Sequence, residues 1–355
     1  MSIRRSLCFF KGLLLIRFDV YVVFGRENLS GKDIDYMEQK KCTPTSIGGQ
    51  AVIEGIMMKG PTCMATAIRK ADGSILVDKK ESKSFIKKLK LNKIPILRGF
   101  LAFFESMFTG VKCLMFSAKE CDLEEDTEQM SKFEKWLMEK FGDKLFDIFM
   151  YISVFVSLLL GIGLFMILPK LTVEWVSSLA GTQVHEGISV LIEGCIRMIL
   201  FVCYMLLISR MKDIQRVFQY HGAEHKTIFA YEYGDELTVE NVKKHTRFHP
   251  RCGTSFLVLV MIVSIIVFFF FVPPADNVWM KILWRIALLP VVAGISYELI
   301  KFAGKCNNAF TRMLSKPGVW LQHLTTKEPD DSMIEVAIEA LKAVLPSDSS
   351  ESTKW

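Results

Sequence analysis

Four of the six histidines in this 355-residue sequence lie in one polar stretch, at His221, His225, His245 and His249. The first two belong to the pentamer His221-Gly222-Ala223-Glu224-His225, an H-x-x-E-H pattern. Because residues i and i+4 share a helix face, both imidazoles can reach one metal ion. In zinc peptidases with this arrangement the glutamate is the general base that activates water. The pentamer therefore predicts a divalent-metal site, with zinc the expected ion and Glu224 the catalytic residue.

A second interpretation of the pentamer needs no metal. Two histidines at a membrane interface can hydrogen-bond headgroups or backbone carbonyls, and such a short pattern also arises by chance. Two observations favour the metal site. The pentamer follows closely on an apolar block, where polar residues are costly without a purpose. A second cluster, His249-Pro250-Arg251-Cys252, precedes the next apolar block.

A catalytic zinc site also needs a third protein ligand and an open position. The candidates are His249, Cys252, His245 and Glu298. Glu298 lies in the last apolar block, where an ion pair with Lys301 explains it at least as well. The sequence leaves this choice open.

Four apolar blocks, at about 145–168, 188–209, 256–272 and 282–302, are each close to the roughly 20 residues that cross a bilayer. Pro169 is expected to end the first block and Pro273 the third. The sequence predicts a mainly α-helical, polytopic membrane protein with about four transmembrane helices in the region 145–302. It also predicts a small N-terminal β-rich cytoplasmic element and a C-terminal amphipathic helix.

Lysine and arginine are unevenly distributed between the segments that connect these blocks. The connections 169–187 and 273–281 carry one lysine each, whereas the loop 210–254 carries eight basic residues. The positive-inside rule therefore predicts that both termini and the histidine-rich loop are cytoplasmic.

The segments before the first block have distinct characters. In the element 45–93, an Asp72-Gly73 turn between two β-prone runs predicts a hairpin. The segment 94–144 holds a helix over 94–120 and an acidic linker. Polar residues seven apart predict that this helix lies at the membrane surface or against the bundle, rather than as a fifth span.

Three further features have competing interpretations. The glycine-punctuated stretch 47–61 lacks the end of a phosphate loop, so it predicts close backbone approach instead of nucleotide binding. Within it, Glu54 is either a functional carboxylate or, as we favour, a solvated turn residue. Glu193 and Arg197, four residues apart, are interpreted as an intramembrane ion pair that either lines a polar path or, as we favour, packs helices together.

The two ends of the chain are predicted to be simple. The segment 303–345 ends in a helix whose start is marked by Pro329-Asp330-Asp331-Ser332, and the tail 346–355 is expected to be disordered. In the extension 1–44, charges interrupt the apolar run, so it is neither a good signal peptide nor a good span. We favour a true start at Met37, with an interfacial segment as the alternative.

Composition limits the class of protein. Hydrophobic residues make up 51% of the chain, which has a mean hydropathy of +0.30 and a net charge of +6. The charge forms no long single-sign stripe, so nucleic acid is not an expected partner. The basic run 79–93 is a solvated face or contacts anionic lipid headgroups. Nine cysteines without a CxxC pair indicate a reducing compartment.

Several strings together resemble a known family, namely IGGQAVIEGIMMKGP, LRGFLAFFES, YHGAEHKTI, LTVENV, HPRCGTSFL and LTTKEPDDSMIEVAIEAL. They resemble the YqhQ-like family of bacterial membrane proteins over about residues 45–345. The resemblance implies a multi-pass protein of the bacterial plasma membrane. The family is of unknown function and is sometimes labelled a predicted metal-dependent enzyme, which supports the metal interpretation and names no substrate.

Two functions from different classes follow. The first is a divalent-metal-dependent hydrolase at the cytoplasmic membrane interface, acting on a lipid headgroup, a membrane-anchored peptide or a small ester. The alternative is a non-catalytic scaffold, assembly factor or transport-related protein with a structural metal or none. The absence of internal repeats disfavours a transporter, and the oligomeric state is left open.

Overall fold

The structure is a computed structural model that describes residues 43–82, 94–121, 148, 151–181, 185–273, 277–305 and 309–346. The strands are β1 (Gly48–Val52), β2 (Gly55–Lys59), β3 (Cys63–Arg69) and β4 (Ile75–Glu81). The helices are α1 (Leu97–Glu120), α2 (Tyr151–Ala180), α3 (Glu186–Ile208), α4 (Lys212–Glu232), α5 (Val239–Lys243), α6 (Gly253–Phe271), α7 (Val278–Lys305), α8 (Ala309–Thr325) and α9 (Asp331–Val344). The expectations for the extension 1–36 and the tail beyond 346 lie outside the described residues.

Five of the described helices are long and apolar enough to cross a membrane: α1, α2, α3, α6 and α7. Four of them correspond to the predicted spans. The fifth, α1, is the segment for which the sequence predicts a surface or packed helix. Two residues of its polar stripe face protein partners, since Arg98 pairs with Glu298 of α7 and Glu105 with Lys59 of β2, whereas Lys112 is exposed. The chain is thus a mainly helical membrane protein with a small sheet.

The expected end of the first span at Pro169 is wrong. The helix α2 continues through Pro169 to Ala180, after a π-helical turn over Gly163–Ile167. Proline has no N–H to donate, and the wider turn just before it rearranges the backbone hydrogen bonds at that point. The helix ends at Gly181, whose φ of 62° is the left-handed cap that glycine adopts most readily.

The four strands form an antiparallel sheet in sequence order, β1-β2-β3-β4. The predicted hairpin is confirmed, because β3 pairs with β4 from Cys63 opposite Glu81 to Arg69 opposite Ile75. Gly73 at the turn has a φ of 83°, and Asp72 accepts a hydrogen bond from the Ser74 amide at 2.8 Å.

The sheet, α4 and α9 share one hydrophobic core, although they are far apart in sequence. Ile56 and Ala65 of the sheet, Tyr220 of α4, and Ile334 and Leu341 of α9 are all buried in it. The start of α9 is the one predicted: the Asp330 side chain accepts from the Met333 amide at 3.0 Å. The sheet and α9 therefore hold α4 in place through this shared core.

A polar network lies buried among the membrane helices. Glu193 pairs with Lys170 at 3.1 Å and with Arg285. Arg197 donates to the Ser264 hydroxyl and to the Phe165 carbonyl, both at 2.8 Å. These contacts join α2, α3, α6 and α7, which supports the helix-packing interpretation.

Candidate functional site

The helix α4 carries the H-x-x-E-H pentamer and places its two histidines side by side. The ring centroids of His221 and His225 are 4.4 Å apart. Gly222 lies between them because another segment crosses the helix there: an added Cβ would be 2.1 Å from the Lys327 carbonyl oxygen. The Lys327 amide in turn donates to the Phe218 carbonyl at 2.9 Å. The glycine therefore allows residues 325–327 to pack against α4.

Backbone carbonyls fix the orientation of both imidazoles. His221 Nδ1 is 2.8 Å from the Thr325 oxygen, and His225 Nδ1 is 2.5 Å from the Arg247 oxygen. A carbonyl oxygen only accepts, so each Nδ1 carries the proton and donates it. Each Nε2 is then left as the nitrogen available to a metal or an acid.

Cys252 completes the group from the start of α6. It is the N-cap residue of that helix, where its sulfur accepts from the Thr254 amide. The sulfur is 3.1 Å from His221 Nε2. One ligand atom each of His221, His225 and Cys252 lies within 4.8 Å of the others. Zinc bonds are about 2.0–2.3 Å long, so small side-chain adjustments bring all three onto one ion.

The electrostatics favour a thiolate at Cys252. Burial by itself raises the pKa of the thiol, but the charges of His221 and His225 and their hydrogen bonds outweigh it, so the pKa lies well below its usual value. Burial acts to lower the pKa of His221, yet the nearby Cys252 charge and hydrogen bond raise it to about 9. The thiolate is the form of cysteine that binds metals and attacks electrophiles.

Glu224 is buried beside this group with a carboxylate oxygen to spare. Burial raises its pKa, while the charges of His221 and His225 and a hydrogen bond from the Gly49 amide oppose the rise. Its Oε2 has no hydrogen-bond partner in the described part of the chain. A buried carboxyl of raised pKa with a free oxygen is suited to accept and return a proton.

The glycine-rich segment approaches the site through Gly49. An added Cβ there would lie 2.7 Å from the Met57 carbonyl oxygen and 3.0 Å from Glu224 Cδ. The close backbone approach predicted for residues 47–61 is therefore present, and it occurs against the predicted catalytic carboxylate. Glu54, in the same segment, forms an ion pair with Arg216.

The remaining histidine candidates have other partners. His249 lies beside the group, with its ring 5.5 Å from that of His225, but its Nε2 is directed toward Glu232 at 3.8 Å. His245 pairs with Asp235 at 2.7 Å.

Glu298 is bound by Arg98 across α1 and α7, with 2.6 Å between the Arg98 Nε and the carboxylate. Lys301, the partner considered from the sequence, adds a Coulombic attraction to Glu298. Of the four third-ligand candidates, the structure brings Cys252 into the group and leaves Glu298 outside it.

Two cavities meet at the site. The larger, of about 580 Å³, lies between α1 and α6 and reaches His221. The smaller, of about 180 Å³, reaches His225 and is lined by polar residues such as Thr45, Ser46 and Arg251. Their shared lining is Gly49, Glu224, Cys252 and Gly253.

Several parts of this site have no clear signal in the sequence. The carbonyls of Thr325 and Arg247 orient the histidines through the backbone, which no side-chain pattern reveals. The wall contributed by α1 comes from a segment that the sequence assigns to the membrane surface or bundle. Gly49 and Gly222 are the signals that the sequence offers, since each allows a close approach without naming the partner.

Comparison with known proteins agrees with this architecture. Residues 94–347 match the family described as protein of unknown function (DUF1385). The chain is 37% identical over 311 residues to the uncharacterized protein YqhQ of Bacillus subtilis (strain 168), which covers 86% of this chain and 94% of that protein. No solved structure matches the chain. The chain therefore belongs to the YqhQ-like, DUF1385 family of membrane proteins, whose function is unknown.

Proposed function

We propose that the protein is a membrane hydrolase that depends on a divalent metal ion, with zinc the expected ion. One observation carries the proposal: ring nitrogens of two histidines and one cysteine sulfur converge beside a buried carboxyl group whose Oε2 has no hydrogen-bond partner among the described residues. His221, His225 and Cys252 are the ligands in this proposal, and Glu224 is the catalytic base.

The residues present fit such an ion. Nitrogen and thiolate ligands are those that zinc prefers, and three protein ligands are typical of catalytic zinc sites. Zinc-binding histidines almost always donate their other ring N–H to a carbonyl or carboxylate, as His221 and His225 do here.

The chemistry is divided between the ion and the chain. A zinc ion at this position acts as a Lewis acid and lowers the pKa of water. Glu224 takes a proton from the attacking water and returns it to the leaving group. The neighbouring Gly49 amide holds one side of the carboxyl group, so Oε2 is the oxygen that remains available.

The proposal places the site on the cytoplasmic side of the bacterial plasma membrane, with both termini cytoplasmic. It rests on the basic residues of the loop 210–254, which contains α4. To test this orientation, cysteines are introduced at Lys212 and at Asn277. Each variant is treated with an impermeant thiol reagent, both in intact cells and in inverted vesicles. Labelling of Lys212→Cys in intact cells would overturn it.

Metal content is the direct test. The protein is purified in detergent beside a His221→Ala/His225→Ala double variant and a His323→Ala control, whose histidine is exposed. We expect about one ion per chain by mass spectrometry in the wild type and the control, and none in the double variant. Wild-type protein without metal would refute the proposal.

A second variant separates metal binding from catalysis. Glu224→Gln keeps the shape of the side chain and all three ligands, so we expect it to retain the ion. It should nevertheless fail to restore the phenotype of a deletion strain. Full restoration by Glu224→Gln would refute the role of the base and favour a structural metal in a scaffold protein.

A second candidate function rests on the 3.1 Å contact between Cys252 Sγ and His221 Nε2. With Thr325 orienting the imidazole, the pair resembles the nucleophile and base of a thiol-dependent acyl transferase. This candidate predicts metal-free wild-type protein whose Cys252 is rapidly alkylated by iodoacetamide. If a bound metal protects Cys252 from alkylation until a chelator removes the metal, the acyl-transferase function is excluded.

A further inference from the structure

The two cavities at the site differ sharply in polarity. The larger is walled by apolar side chains of two candidate membrane spans, including Phe103 and Met107 of α1 and Phe256 and Leu257 of α6. The smaller is lined by hydroxyls, the Gly48-Gly49 backbone, His249 and Arg251. A molecule that occupies both must be apolar at one end and polar at the other.

The larger cavity reaches the outer surface of the helices. Leu114 of α1 and Leu257 of α6 line it and are 37% and 44% exposed. Leu257 lies on the candidate span α6, where an exposed leucine faces hydrocarbon. Phe103 and Phe256 both line this cavity and contact each other, with ring centroids 5.5 Å apart.

The smaller cavity has one arginine in its lining. Arg251 is paired with Glu232 at 2.6 Å, so its charge is compensated. At about 180 Å³, the cavity has room for a small polar group and not for an oligosaccharide or a folded peptide. A small head group rich in hydroxyls fits this lining.

We propose that the substrate is a membrane amphiphile, an ester in which an apolar chain is joined to a small polar head group. The chain enters from the bilayer between α1 and α6, and the head group occupies the smaller cavity. The ester bond then lies at the shared wall formed by Glu224 and Cys252. This choice of substrate rests on the proposed hydrolase function, whereas the binding of an amphiphile does not.

The reaction balances without a further reagent. The oxygen of water forms a bond to the ester carbonyl carbon, and the bond from that carbon to the head-group oxygen breaks. The proton that Glu224 takes from water is returned to the departing oxygen. The products are a fatty acid and an alcohol, and they leave toward membrane and water respectively.

Cys252 serves as a built-in reporter of access to the site. The full-length protein is placed in nanodiscs of phosphatidylglycerol and phosphatidylethanolamine, stripped of metal, and treated with N-dodecylmaleimide or a sulfonated maleimide. Labelling of Cys252 is followed by mass spectrometry of its peptide. We expect at least tenfold faster labelling by the apolar reagent.

Plugging the larger cavity separates access from simple partition of the reagent into lipid. Met107→Trp fills the cavity, and its neighbour Phe108→Trp, which is 61% exposed and does not line it, is the matched control. Leu257→Trp plugs the opposite wall if Met107→Trp fails to fold. We expect a tenfold or greater loss of labelling by N-dodecylmaleimide in the plugged variants and no change in the control.

Protection tests the amphiphile itself. The ether lipid 1-O-hexadecylglycerol cannot be hydrolysed as an ester, and it should protect Cys252 from N-ethylmaleimide, whereas glycerol should not. Equal labelling by both maleimides, indifference to the plugs, or absence of protection by the ether lipid would each overturn the proposal. Because the labelling uses metal-free protein, its outcome does not depend on whether the purified protein contains a metal ion.

Discussion

Replacing Gly49 by alanine should destabilise the protein, whereas the same change at the adjacent Gly48 should not. A Cβ at Gly49 would be 2.7 Å from the Met57 oxygen, 2.9 Å from the Met58 sulfur and 3.0 Å from Glu224 Cδ. At Gly48 nothing lies within 4 Å of the added atom. Neither glycine has a positive φ, so backbone strain does not distinguish the two positions.

The two substitutions should change the free energy of unfolding in opposite directions. Glycine within a strand costs roughly 0.5–1 kcal/mol relative to alanine, so Gly48→Ala should be neutral or stabilising by up to that amount. Forcing a methyl group into a packed position costs about 1–3 kcal/mol, so Gly49→Ala should be destabilising. The difference in the free energy of unfolding between these neighbouring variants is about 1–4 kcal/mol.

Thermal unfolding in detergent, followed by circular dichroism, measures this gap. With about 2–4 °C per kcal/mol for domains of 150–250 residues, Gly49→Ala should unfold about 2–12 °C below the wild type. Adding Glu224→Ala removes one of the three contacts, so part of the loss in Gly49→Ala should be restored. Equal unfolding temperatures for the two glycine variants would refute the close approach of β1 to Glu224.

Three further predictions concern other parts of the molecule. In an exposed helix, Gly→Ala stabilises by about 1 kcal/mol. Here Gly222→Ala should instead lower both the unfolding temperature and the metal content, because its Cβ would be 2.1 Å from the Lys327 carbonyl oxygen. Unchanged values would refute the packing of residues 325–327 on α4. Glu193→Gln removes the carboxylate that faces two buried cations and should cost about 3–5 kcal/mol, so an unaltered unfolding temperature would show that the network is solvated. In metal-free protein, alkylation of Cys252 should depend less on pH than that of an ordinary thiol, because the charges and hydrogen bonds of His221 and His225 lower the pKa of the sulfur. The substitution His221→Ala should restore the steeper rise of the alkylation rate with pH.

The features predicted correctly from the sequence depend on short-range interactions. Asp330 caps α9 through an amide three residues away, and Asp72 with Gly73 forms a turn whose partners are adjacent. The pairing of His221 with His225 follows from helix periodicity alone. In each case the physical cause is contained within a few residues, so the local sequence suffices.

The features missed depend on which distant segments pack together. Glu298 and Cys252 were both candidates for the third ligand, since each lies near the end of an apolar block. What separates them is Arg98, 200 residues from Glu298, whose position on α1 is set by packing against α7. The polar stripe of α1 was visible in the sequence, but headgroups, water and a buried ion pair all produce the same stripe.

His225 distinguishes the metal site from a cysteine–histidine pair. Such a pair needs one imidazole and one group to orient it, and His221 with Thr325 supplies both. A second buried imidazole beside a protonated His221 costs free energy. The His225 ring is nevertheless oriented by the Arg247 carbonyl, and its side chain also hydrogen-bonds the Cys252 sulfur. A metal ion bound by all three residues uses both imidazoles and the sulfur as ligands, which accounts for the second imidazole. His225→Ala should therefore abolish metal binding if the ion is present, whereas a pair of His221 and Cys252 would keep its reactive thiol.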